Sequence, residues 1–174
     1  MKFIETSLPG VWLIEDHLHE DERGFLTRTY CERDFRERGL NTYWPQCNLT
    51  RTKKRGMIRG MHYQAEPKPE IKIIRCIAGA VFDVLTDIRP GSPTYKQWEG
   101  FELSPDNHRA LYAPVGFAHG LQCLDDNCDV FYHMSEFYFP ELARGFRWDD
   151  PSIGIAWPLP APILSQRDQS LPVL

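Results

Sequence analysis

The chain contains no apolar run approaching the roughly 20 residues that cross a bilayer as a helix, so no membrane span is expected. It also lacks an excess of positive charge. Lys and Arg number 20 against 24 Asp and Glu, a net charge of -4, which gives no overall basic field for gripping nucleic acid. The opening Met1-Lys2-Phe3-Ile4-Glu5-Thr6 has no long apolar core of the kind a secretory leader needs. The five cysteines are odd in number and include no Cys-x-x-Cys pair, so neither a zinc frame nor an even disulfide set is indicated. Buried free thiols in a reducing cytoplasm are the expectation, and Asn48-Leu49-Thr50 is read as a chance match to a glycosylation sequon. No internal repeat, low-complexity tract or linker divides the 174 residues. They are read as one domain.

What the chain has in quantity is turn residues and aromatics: 12 Gly, 14 Pro and 13% Phe, Trp and Tyr, within an ordinary 42% hydrophobic content. That mixture favours many short strands over a helical bundle. One short helix is predicted around Glu32 to Arg38, stopped by Gly39. Strands are predicted at Ile71–Ile77, Val81–Ile88, Trp98–Leu103, Arg109–Ala113, Phe117–Leu124 and Asp129–Phe137, each bounded by turn signals. Close spacing points to an antiparallel sandwich or barrel. From Pro151 onward the proline-rich tail is expected to form neither a central strand nor a long helix.

Two hairpins are expected, and each sets a register. A turn at Ala78-Gly79 would place Ile74 opposite Asp83 and make Lys72 and Asp83 diagonal neighbours on one face. A turn between Leu124 and Asp129 would do the same for His119 and Tyr132. A slip of one residue undoes either arrangement. On pairing alone, a Lys–Asp diagonal is more often an exposed ion pair than catalytic machinery, and a tyrosine among apolar residues is usually core. Arg59 and His62 are separated by an odd number, so an unbroken strand would face them oppositely. Gly60 between them permits a bulge that brings both to one side.

Six segments then fall into a familiar order: Asp21-Glu22-Arg23-Gly24-Phe25, Gly56 to Gln64, Tyr112 to Gly120, Phe146-Arg147-Trp148-Asp149-Asp150-Pro151, Ile155-Ala156-Trp157-Pro158, and Leu164-Ser165-Gln166-Arg167-Asp168. From about Leu8 to Asp168 the chain resembles the dTDP-4-dehydrorhamnose 3,5-epimerase family. The resemblance implies an all-β, cupin-type jelly roll of antiparallel strands with a few short helices, an N-terminal strand arm and a proline-rich C-terminal extension. It implies a homodimer exchanging N-terminal strands, a nucleotide-sugar substrate linked to dTDP, and no cofactor or metal. By position, His62 matches the general base, Asp168 its carboxylate partner, Tyr132 the acid on the opposite face, and Lys72 the cation that stabilises an enolate. His119 and Asp83 match a second pair lining the pocket. Arg59 and Arg23 match diphosphate contacts, while Gln46, Asn48 and Tyr138 match further substrate or nucleotide contacts.

Two departures from the family pattern stand out. Arg28 occupies the place of a glutamate associated with the nucleobase end of the substrate, and Ala143 replaces a second common glutamate. One extra residue separates Asn48 from Arg59. Two other readings compete with the epimerase. In a metal-dependent cupin oxygenase or isomerase, Pro114-Val115-Gly116-Phe117-Ala118-His119 would supply one ligand, but Tyr63-Gln64 after His62 breaks the expected His-x-His. A non-catalytic nucleotide-sugar-binding paralogue would have no use for an acid and a base on opposing faces.

Overall fold

The computed structural model describes residues 1–174. Strands β1 (Lys2–Glu5), β2 (Trp12–Glu15), β3 (Leu18–Asp21) and β4 (Gly24–Thr27) precede helix α1 (Glu32–Arg36). Strands β5 (Gln46–Thr52), β6 (Ile58–Gln64), β7 (Lys72–Ala78), β8 (Val81–Asp87), β9 (Trp98–Leu103) and β10 (Arg109–Ala113) follow. The chain ends with β11 (Phe117–Cys123), β12 (Cys128–Met134), a 3₁₀ turn at Pro140–Leu142, β13 (Ala143–Gly145) and helix α2 (Gln166–Gln169). These form a six-stranded sheet in the order β1-β2-β10-β7-β12-β5 and a five-stranded sheet in the order β13-β6-β11-β8-β9. All ladders between named strands are antiparallel, and β3 and β4 pair only with each other. This is the jelly-roll sandwich expected of the sequence.

The two sheets close on one apolar core. Ile74, Cys76, Leu111 and Val130 come from one sheet and Val81, Leu85, Leu103 and Leu121 from the other. Cys76, Cys123 and Cys128 lie in this core, and burial pushes the Cys76 and Cys123 thiols up to about 12. All five cysteines are free, but Cys47 is exposed on β5, against the expectation of uniform burial. Outside the six-stranded sheet, α1 buries Phe35 against Ile73 and Tyr112. Gly39, at φ +68°, ends that helical segment as the sequence predicts, and Leu40 N–H returns to the Phe35 carbonyl. The proline-rich tail packs Ile153, Ile155 and Trp157 on the outer face of the five-stranded sheet. The Gln122 amide secures it through bonds to the backbone of Leu159 in both directions, each 2.9 Å.

Neither predicted hairpin forms. Strands β7 and β8 belong to facing sheets, as do β11 and β12, so neither the Ile74–Asp83 register nor the same-face diagonals Lys72–Asp83 and His119–Tyr132 hold. A local turn signal marks where the chain reverses without dictating that the flanking strands pair. Here each of the four strands already has a ladder on both edges. Gly79, at φ +68°, carries the crossing between sheets. A Cβ there would lie 2.9 Å from Cys128 Sγ.

At the end of β8, buried Asp87 accepts bonds from the Arg89 backbone and guanidinium, Ser92 Oγ and Thr94 Oγ1, at 2.6–2.9 Å. Burial alone would push its carboxyl pKa up, but these donors outweigh it and hold the carboxyl well below the usual range. A depressed folded value stabilises the protein above the unfolded carboxyl value of about 3.9 and loses that stabilisation as pH falls toward the folded one. Asp87→Ala is therefore expected to cost about 3 kcal/mol at neutral pH. The difference between wild type and variant should narrow in urea titrations below about pH 4.

Candidate active site

The inward-facing positions of both sheets change character along the sandwich. At one end they are the apolar residues of the core; toward the other they become Lys72, Asn48 and Tyr132 on the six-stranded sheet, and Arg59, His62, Asp83 and His119 on the five-stranded one. Tyr132 lies opposite Asn48 on β5 and Ile74 on β7, so its diagonal neighbour on β7 is Lys72. On the facing wall His119 pairs directly with His62. His62, Lys72, Tyr132, Asn48, Arg59 and Tyr138 all line one cavity of about 350 Å³. A deeper recess of about 130 Å³ brings His119 into contact with the same space as His62, Lys72 and Tyr132.

The predicted bulge makes this possible. His119 pairs with His62 while Leu121 pairs with Arg59, so three steps along β6 span two along β11. The extra residue at Gly60–Met61 turns both Arg59 and His62 inward. Gly60 has φ +134°, and a Cβ on it would meet Gly120 Cα at 2.6 Å and the His119 carbonyl oxygen at 3.0 Å. Both neighbours are backbone. Gly60→Ala is expected to destabilise the fold by about 2 kcal/mol or more, read as a lowered urea midpoint, and to disturb the His62 register.

Each histidine is backed by a carboxylate. His62 Nε2 is 2.7 Å from Asp168 Oδ1, with the imidazole one-third exposed and the carboxylate almost completely buried. An acceptor at Nε2 requires that nitrogen to carry the hydrogen, leaving Nδ1 as the basic nitrogen of the neutral ring. Burial would raise the Asp168 carboxyl, but the His62 bond and charge, Ser165 Oγ and the Gly60 N–H together hold it below the ordinary value. Ser165 caps α2 by accepting from Asp168 N–H at 3.1 Å. This is the Ser-x-x-acid start of a helix with its acidic side chain turned to the imidazole. The tail is brought to this wall by the Met57–Ile163 bridge, in which Ile58 N–H donates to the Ile163 carbonyl. His119 Nε2 likewise meets buried Asp83 Oδ2 at 2.9 Å.

Polar contacts also order the cavity mouth. Gln46 Nε2 donates to Asn48 Oδ1 at 3.3 Å, and Gln46 Oε1 accepts from Tyr138 N–H at 3.2 Å. Arg59 Nε donates to Thr52 Oγ1 at 2.7 Å. Buried Gln64 holds two loops together, donating to the carbonyls of Lys68 and Phe137 and accepting from Phe139 N–H. Sequence reasoning missed Gln64, Glu70, Arg144 and Arg167, which also line the cavity. The signal for Arg167 lay beside Asp168, and Glu70 sits two residues before Lys72 in an extended segment. Ala143 lines the same wall.

Arg23 and Arg28 do not join this cavity within the chain. Arg23 is exposed at the tip of the β3–β4 hairpin, bound to the Asp21 carboxylate. Arg28 borders a different hollow with Met1, His17, His19, Leu26 and Thr27. No cluster of three or more His, Cys, Asp or Glu side chains arranged to hold a metal ion occurs.

Fold and cavity together define a jelly-roll enzyme of the cupin type, with two carboxylate-backed imidazoles on one wall and a phenol and an ammonium on the other. The chain belongs to the dTDP-4-dehydrorhamnose 3,5-epimerase family, whose model matches residues 5–174, and it is an isomerase. The enzyme of that name from Methanothermobacter thermautotrophicus is 44% identical over 172 residues, covering 97% of this chain and 92% of that protein. The Bacillus anthracis enzyme, solved with TDP and PPi bound, superposes with a TM-score of 0.96 at 41% identity and covers 99% of each chain. The Legionella pneumophila epimerase in complex with dTDP-4-keto-L-rhamnose gives a TM-score of 0.93 at 36% identity, over 99% of this chain and 92% of that one.

Proposed function

We propose that this protein epimerises a dTDP-linked 4-keto-6-deoxyhexose at C3 and C5, in deoxysugar biosynthesis in the cytoplasm. The observation that carries the reading is the placement of His62 and Tyr132 on opposite walls of one cavity, with Lys72 beside the phenol. A ketone at C4 acidifies the hydrogens on both neighbouring carbons, because loss of either leaves an enolate delocalised onto oxygen. Inversion needs a base on one face of the ring, an acid on the other and a donor at the developing oxyanion.

His62 takes the proton at Nδ1. The imidazolium that results is stabilised by Asp168, a positioning residue that fixes the tautomer. Lys72 donates to the enolate oxygen, and Tyr132 delivers a proton from the other face. The tyrosinate regains its proton from solvent, and His62 releases the one it took. His119, backed by Asp83, lines the recess between the walls. Arg59, Arg144 and Arg167 give the cavity a cationic lining suited to a diphosphate, while Gln46, Asn48 and Tyr138 contact the remainder of the nucleotide sugar.

The β3–β4 hairpin exposes Phe25 and Leu26, and the outer face of the six-stranded sheet exposes Leu49 and Ile77. These apolar surfaces support a homodimer in which the N-terminal hairpin crosses to the other subunit and brings Arg23 and Arg28 to its cavity. The test of the activity is solvent exchange. Incubation with dTDP-4-keto-6-deoxyglucose in heavy water should place deuterium at C3 and C5, located by NMR. Absence of label at both carbons rejects the reading.

A further inference from the structure

Glu70 and Lys72 lie two residues apart in extended chain, so their side chains leave the same face. Glu70 Oε1 is 2.7 Å from Lys72 Nζ, and the two side chains are only 9% and 12% exposed. The second carboxylate oxygen, Oε2, is buried without a hydrogen-bond partner. Together the pair borders both the catalytic cavity and an adjoining one of about 330 Å³. A buried carboxylate with an unpaired oxygen is costly, so its place beside Lys72 calls for a function.

The charges around Lys72 sharpen the point. Facing it are Arg59 and His62 from β6, His119 from β11, Tyr132 from β12, Arg144 from β13 and Arg167 from α2. Asp83 and Asp168 are each engaged with an imidazole, and Arg89 and Glu66 line the adjoining cavity. Glu70 is thus the carboxylate directly paired with the ammonium. Without it, repulsion from these like charges would push the ammonium out of place.

We infer that Glu70 is the positioning residue for Lys72: Oε1 holds the ammonium in place where the two cavities meet. This deepens the reading of Lys72 as the enolate-stabilising cation and rests on it. An ammonium has three donors; Glu70 takes one and leaves the others for the carbonyl oxygen.

The test uses Glu70→Gln and Glu70→Asp in the full chain. In substrate-free protein labelled with ¹³Cε-lysine, the Lys72 signal is assigned by its loss in Lys72→Arg. At fixed neutral pH that signal is expected to shift and broaden in Glu70→Gln and to hold close to wild type in Glu70→Asp. An unchanged signal in Glu70→Gln overturns the inference. In the exchange assay, Glu70→Gln should lower kcat about tenfold or more with KM little changed, since a displaced ammonium no longer meets the developing oxyanion, and Glu70→Asp should recover most of the loss. A wild-type kcat in folded Glu70→Gln also overturns it. Should Glu70→Gln fail to fold by circular dichroism, Glu70→Ala takes its place with the same expected changes. If wild type exchanges no hydrogen at all, the functional reading fails, and the substrate-free spectrum still decides whether Glu70 positions Lys72.

Discussion

Replacing His62 with asparagine is expected to lower kcat for epimerisation by roughly 10²–10⁴-fold, the range a positioned general base contributes, with little change in the urea midpoint. The imidazole is one-third exposed and stands at the cavity wall, so its removal leaves no hole in the apolar core. Asparagine can still donate an amide hydrogen toward Asp168, which would otherwise be left as a buried charge without its partner. It offers no nitrogen basic enough to take a proton from carbon. Both epimerisation and solvent exchange should therefore fall together. Retention of near wild-type exchange by a folded His62→Asn would assign the base to another residue.

Tyr132→Phe should separate those two readouts. The phenol is on the wall opposite His62, and phenylalanine preserves the ring on β12 while removing only the hydroxyl. Deprotonation by His62 remains possible, and the enolate can recover a hydron from the same imidazole. Deuterium should still wash in with the original configuration retained, while formation of the inverted product drops by roughly 10²-fold or more. NMR of the recovered sugar measures label and configuration in one experiment. Continued inversion at the wild-type rate would exclude the phenol as the acid.

The six strands β7 to β12 were legible from apolar, β-branched runs bounded by turn signals, whereas β1 to β4 and β13 were not assigned from their residues. β9 and β10 match the predicted limits, and β8, β11 and β12 begin within a residue of them. β5 was missed because the alternation is inverted there. Gln46, Asn48 and Thr50 face the cavity while Leu49 faces outward, so the usual apolar-in pattern cannot find it. The bulge on β6 could be anticipated from the odd spacing of Arg59 and His62 around a glycine, a purely local clue. Strand partnership could not, since it depends on which edges remain free after the other strands have docked. Lys72 and Tyr132 do converge, but through the β7–β12 ladder, and His119 reaches Asp83 through β8–β11. Asp168 entered through family resemblance alone. Nothing near it in sequence predicts an imidazole 106 residues away.

That long separation has a consequence for how the enzyme comes into being. The tail must first lie across the outer sheet before α2 can present its carboxylate to β6. During synthesis on the ribosome, every strand of the two sheets leaves the exit tunnel before α2 does. Competence is therefore conferred only after the strands are made, by α2, and a message truncated ahead of Ser165 would yield a sandwich with an unsupported imidazole.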